Sequence, residues 1–204
     1  MAQVAPRRRE PLWGTLELNL GLPTKLIPQA ETLNWPVESR TGYASELLRW
    51  RALVARARTL GPERQLQLVH STMQKASYRP DGESGGEADY WAHPLEFLQR
   101  GGDCEDYAIA KFKTLEAAGF PKGDMRVAIV RNAITAQFHA VLVAYIDGQA
   151  SILDSQSPDV YQQARQTAFD PICSLDRKSL WLHWNGSDLN RRVALLRERL
   201  NRLA

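Results

Sequence analysis

The chain has 204 residues, 44% hydrophobic and 24% charged, with a net charge of +3, ordinary values for a globular protein. No apolar run approaches the roughly 20 residues of a membrane-spanning helix, and two cysteines, Cys104 and Cys173, make no disulfide framework. The excess positive charge sits in Arg7, Arg8 and Arg9, in Arg49, Arg51, Arg56 and Arg58, and in the C-terminal tail. It is not interleaved with aromatic residues on one module, so it reads as solvated helix faces and not as a nucleic-acid site.

Residues 1–43 are punctuated by Pro6, Pro11, Pro23, Pro28 and Pro36 and read as an irregular N-terminal segment. The first ten residues have no apolar h-region and no cleavage site, so they do not read as a signal peptide. Two helices are expected near 44–60 and 62–77, divided at Gly61-Pro62, with Pro62 suited to a first helical turn. Residues 79–87 form a Gly- and Pro-rich loop, read as a linker with a flap over a cleft as the alternative. A short helix near 94–100 then leads into a second helix that begins at Cys104. There Ala108, Ile109, Phe112 and Leu115 recur at helical spacing and Gly119 ends the run. Strands are expected near 125–131, 138–146, 149–154 and 180–184, with Asp147-Gly148 as a hairpin turn. Helices before an antiparallel sheet define an α+β fold, here occupying residues 44–187. Residues 188–204 carry Leu189, Val193, Leu196, Leu200 and Leu203 at steps of four and three. That stripe suits an amphipathic helix docked on the domain, with a partner-binding helix as the alternative.

The chemistry concentrates at Gly101-Gly102-Asp103-Cys104-Glu105-Asp106. Cys104 falls at a helix start, where unpaired N–H groups and the macrodipole favour a thiolate. Asp103, Glu105 and Asp106 oppose that charge. The conflict eases if a hard cation occupies the carboxylates, which are typical calcium ligands, or if a histidine pairs with the sulfur. Of the four histidines, His70 lies in a helix without an acidic neighbour in sequence. His93 marks a turn before Pro94, and His183 sits between Trp181 and Trp184. His139 opens the apolar strand Ala140-Val141-Leu142-Val143-Ala144-Tyr145, and the hairpin returns to Asp154. The hairpin brings Asp154 near His139, where an orienting carboxylate belongs. Trp91 reads as a packing residue against the cysteine helix, with a place in the cleft as the alternative. Cys173 reads as a small core or surface residue.

The order Cys104, His139, Asp154 is that of papain-like and transglutaminase-like enzymes. The block from Trp91 to Lys111, with the His139 strand and Leu153-Asp154, resembles the bacterial transglutaminase-like cysteine peptidases. Within them it is similar to the LapG-type periplasmic proteases that release large biofilm adhesins. This chain has Ala140 after the histidine and Ser155 after the aspartate, two departures from that pattern. The resemblance implies that Cys104 is the nucleophile, His139 the general base and Asp154 its orienter, and that Asp103 and Glu105 bind calcium. It further implies a periplasmic enzyme, an adhesin substrate cut near its N-terminus, and sequestration by an inner-membrane cyclic-di-GMP receptor. The residues alone leave two other readings open: a transglutaminase-type acyltransferase with the same triad, and a non-catalytic calcium-stabilised binding module.

Overall fold

The computed structural model describes residues 16–22, 33–39, 41–81, 90–162, 168–184 and 194. Among the described residues four α-helices, α1 (Ala44–Arg58), α2 (Pro62–Met73), α3 (Pro94–Arg100) and α4 (Cys104–Ala117), precede most of the strands in the chain. The strands are β1 (Leu16–Leu22), β2 (Met125–Asn132), β3 (Phe138–Ile146), β4 (Gln149–Leu153), β5 (Tyr161–Gln162), β6 (Phe169–Leu175) and β7 (Leu180–Trp184). They form one seven-stranded sheet in the order β1-β7-β6-β2-β3-β4-β5, and every pair is antiparallel. The α+β reading therefore holds.

The period-2 rule explains how β3 is packed. Ala140, Leu142 and Ala144 join α4 residues Ala108, Ile109, Phe112 and Leu115 in the main core. The intervening Val141, Val143 and Tyr145 join Ala128, Val130, Ile152 and Phe169 in a second cluster. Both faces are buried, which is why the sequence of β3 reads as a continuous apolar run. The β3–β4 turn has Asp147 at φ 52° and Gly148 at φ 85°, the pair of positive angles that a two-residue hairpin requires.

Helix α4 is buried over nearly its whole length, as a helix between a sheet and other helices must be. Its neighbours hold it by specific bonds. Trp50 Nε1 in α1 donates to Thr114 Oγ1 at 3.0 Å. Arg58 donates twice to the Ala117 carbonyl at the C-terminus of α4, satisfying one of its unpaired acceptors.

Three expectations change. The N-terminal segment is not wholly irregular: Leu16–Leu22 is a strand, β1, paired with β7. Its signal was Leu16, Leu18, Leu20 and Leu22 at every second residue, obscured by the prolines on either side. Strand β6 was missed because Asp170-Pro171 argues against a strand. Pro171 lies opposite Val130, where the β2–β6 register shifts, and such an irregularity tolerates a residue without an N–H. Helix α2 ends at Met73, not near 77. Beyond it the chain extends so that Tyr78 bridges Gly102. The expected helix over 188–204, residue 194 apart, and most of the loop over 79–87 lie outside the described residues.

Candidate active site

The turn before Cys104 can be built only from glycines. Gly101 has φ 80° and ψ −165°, a region essentially reserved for glycine, and a Cβ there would lie 1.9 Å from the Ser77 carbonyl oxygen. At Gly102 a Cβ would lie 2.1 Å from Asp106 Oδ2. Gly102 N–H donates to Ser77 O at 3.2 Å, and Arg79 N–H donates to Gly102 O at 2.9 Å, so the turn is pinned to the segment after α2. Asp106 is the second anchor. Its carboxylate accepts from Ala92 N–H at 2.6 Å and from Asp103 N–H at 3.2 Å. It thereby ties the residue after Trp91 to the helix start, and Trp91 itself is buried in the main core. The packing reading of Trp91 holds.

Cys104 is the first residue of α4 and has no disulfide partner. Its sulfur lies 2.7 Å from Glu105 Oε2, and the Ala140 backbone N–H points at it. That contact sets the sulfur against the residue that follows His139. His139 Nε2 is 2.7 Å from Asp154 Oδ1, and both residues are buried. Asp154 directly follows β4, whose Leu153 pairs with Leu142. Its carboxylate also accepts from Gln156 N–H at 2.8 Å and from the Tyr161 hydroxyl at 3.1 Å. Burial would push Asp154 up, but these bonds and the charge of His139 outweigh it and hold the carboxyl below its usual range. Phe169 packs on the His139 ring with centroids 5.4 Å apart. The candidate base and orienter are thus in contact, and the candidate nucleophile faces the backbone of the residue after the base.

The electrostatics around the sulfur run against a thiolate. Burial, the charge of Glu105 and the hydrogen bond to it all push the Cys104 thiol far up, and the Ala140 N–H opposes them. The helix N-terminus contributes at most about 2 kcal/mol in the other direction. Burial and the Glu105 carboxylate 2.7 Å from the sulfur outweigh it. Burial, then the charges of Glu105 and Asp106, raise Asp103 to about 10. Burial raises Asp106 to about 7 against the bonds from Ala92 and Asp103.

This cluster has the composition of a cation site. Ligand atoms of Asp103, Cys104 and Glu105 lie within 4.8 Å of one another. Asp103 Oδ1 is buried without a hydrogen-bond partner, an oxygen that a hard cation would satisfy. Asp103 and Glu105 fit such an ion by donor chemistry and charge. The Cys104 thiol, a soft donor, does not.

The other histidines keep structural roles. His93 Nδ1 caps α3 by accepting from Leu95 N–H, and His183 Nε2 meets Ser174 Oγ at 2.9 Å. Cys173 is fully buried in the core. The sequence reading did not foresee Tyr161, whose stretch carries no motif. Nor did it foresee Gln74, Lys111 and His70, which gather behind Asp154. Lys111 had a signal: it sits two turns after Cys104 in an otherwise apolar helix face.

A helix that begins at a cysteine, packed on an antiparallel sheet that carries a buried histidine–carboxylate pair, is the architecture of the papain- and transglutaminase-like class. Residues 55–185 match the family described as bacterial transglutaminase-like cysteine proteinase. The match spans more than half of the chain, which therefore belongs to this family of cysteine proteases. Among solved structures it is similar to calcium-bound LapG of Legionella pneumophila. The TM-score is 0.63 at 29% identity, over 83% of this chain and 98% of that one. A further LapG structure from the same organism gives 0.63 at 26% identity, over 86% and 97% of the two chains. An EGTA-treated form gives 0.62 at the same identity and coverage. No curated protein matches the sequence.

Proposed function

We propose that the enzyme is a calcium-dependent endopeptidase in which Cys104 is the nucleophile, His139 the general base and acid, and Asp154 its orienter. Its substrate on this reading is a large cell-surface adhesin, cut near its N-terminus to control biofilm attachment. The observation that carries the assignment is the 2.7 Å contact between His139 Nε2 and Asp154 Oδ1, on a strand whose next residue turns its N–H toward the Cys104 sulfur.

With Nε2 committed to Asp154, Nδ1 is the ring nitrogen left to take the thiol proton. The thiolate attacks the scissile carbonyl and forms a tetrahedral adduct. His139 gives its proton to the leaving amine, the C–N bond breaks and a thioester remains. Water, losing a proton to His139, attacks the thioester. The C–S bond then breaks, releasing the acid and restoring the cysteine. Asp154 stays ionised throughout and stabilises the imidazolium.

Asp103 and Glu105 would hold calcium. The ion supplies positive charge that offsets the carboxylates beside Cys104. Support for the metal comes from the buried, unpartnered Asp103 Oδ1 and from LapG, of which calcium-bound and EGTA-treated forms are known. The family kinship supports a periplasmic location and control by an inner-membrane cyclic-di-GMP receptor.

The test incubates the protein in calcium with the N-terminal fragment of a LapG-type adhesin, with and without a labelled primary amine, and identifies products by mass spectrometry. A single internal cleavage that is lost in Cys104→Ala supports the endopeptidase. Amine incorporation without cleavage supports the acyltransferase and refutes the peptidase assignment.

A further inference from the structure

Behind the triad lies a polar cluster that the mechanism does not use. Lys111 in α4 is completely buried. It lies two helical turns after Cys104, on the same side of the helix. Its ammonium has two long-range acceptors, Gln74 Oε1 at 3.3 Å and Leu153 O at 3.4 Å, and stands 5.4 Å from the centroid of the Tyr107 ring. Burial pushes this lysine down to about 7, and the charge of Asp154 opposes the shift. A lysine is seldom buried without a compensating partner. The negative charge compensating this one is a member of the triad.

Gln74, at the C-terminal cap of α2, completes the connection. Its Oε1 accepts from Lys111, while its Nε2 donates to Ser155 O at 2.9 Å and to Ser157 O at 2.7 Å. His70, one turn earlier, meets the same Ser157 carbonyl at 3.0 Å. Ser157 N–H donates to Asp154 O at 3.2 Å. The segment bearing Asp154 is therefore gripped on both sides, at Leu153 by α4 and at Ser155 and Ser157 by α2. Asp154 bonds His139 directly, and the other residues hold the segment that carries it.

We infer that Gln74 and Lys111 are positioning residues for the reaction: they link the nucleophile helix to the 153–157 segment and set Asp154 against His139. This rests on the triad assignment above. Simple reinforcement of the fold would use the same bonds, so the test needs readouts that stability alone does not move.

The 204-residue chain in calcium is compared as wild type, Gln74→Ala, Lys111→Met and Asp154→Asn. Three quantities are read: the melting temperature, the rate of iodoacetamide labelling at Cys104 at pH 7 located by peptide mass spectrometry, and the downfield proton NMR signal of the His139 Nε2–H. Gln74→Ala removes a half-buried side chain at a helix end and keeps the test usable if Lys111→Met does not fold. The expected result is a labelling rate reduced roughly tenfold in Gln74→Ala, the scale of one displaced charge-assisted hydrogen bond, with the downfield signal shifted or broadened. If Gln74→Ala melts earlier but labels like wild type and keeps the signal, while Asp154→Asn loses both, the positioning role is refuted and the triad stands. If Asp154→Asn also keeps both, the triad assignment fails and takes the inference with it.

Discussion

Gly101→Ala isolates how the turn before Cys104 is held. The residue would occupy a glycine-only backbone region, costing roughly 1–3 kcal/mol. Its Cβ would also overlap the Ser77 carbonyl oxygen at 1.9 Å. That oxygen belongs to the backbone and cannot rotate away, so the bridge must open. Opening it loses Gly102 N–H to Ser77 O and Arg79 N–H to Gly102 O, about 1 kcal/mol each. The total is roughly 3–5 kcal/mol, a fall of roughly 6–20 °C in Tm for a chain of this size. Gly119→Ala is the control. Gly119 also has positive φ, at 92°, but nothing lies within 4 Å of its would-be Cβ, so only roughly 1–2 kcal/mol of backbone strain applies. Thermal melts of the two variants, with iodoacetamide labelling of Cys104 alongside, measure the difference. If Gly101→Ala melts no lower than Gly119→Ala and labels normally, the turn is not packed as described.

Asp154→Asn keeps the shape but loses the charge and the tautomer control, and should slow turnover by a factor on the order of 10²–10⁴. Tyr161→Phe removes only one of the three bonds to that carboxylate and should cost about 1 kcal/mol, roughly fivefold; equal rates in the two variants would show that Asp154 does not orient His139. Asp103→Ala should abolish the stabilisation by calcium seen in a melt and reproduce the effect of a chelator on wild type. If the chelator moves neither Tm nor activity, the metal assignment is wrong. Burial and the charge of Lys111 hold His70 down to about 4 from 6.5. A depressed histidine is neutral in the fold but takes up a proton when unfolded, so its contribution to stability falls as pH drops from about 6.5 to about 4. His70→Gln should flatten that part of the urea-stability profile, and an unchanged slope would refute the assignment.

Much of this arrangement was legible in the sequence because it depends on local rules. Gly101-Gly102 before Cys104, Pro62 opening α2, and Asp147-Gly148 between β3 and β4 each fix a backbone conformation, and the elements they bound fell within a few residues of the reading. The His139–Asp154 contact followed from the hairpin alone. What the sequence hid depends on contacts between distant segments. Asp106 looked like one more acid beside Cys104, whereas it anchors Ala92, fourteen residues earlier. Strand β6 contains a proline that only the register shift against β2 makes acceptable. Gln74 had no pattern at all, since its role exists only once α2 and the 153–157 segment lie side by side.

On the proposed mechanism, Cys104 becomes a reactive thiolate when calcium offsets the carboxylates beside it. The most direct test is the pH dependence of iodoacetamide labelling at Cys104, in calcium and in chelator, for wild type and His139→Ala. The expected result is fast labelling well below the ordinary thiol range near 8.5, requiring both calcium and His139, and slow labelling in chelator. An ordinary profile, indifferent to calcium and to His139, would contradict it.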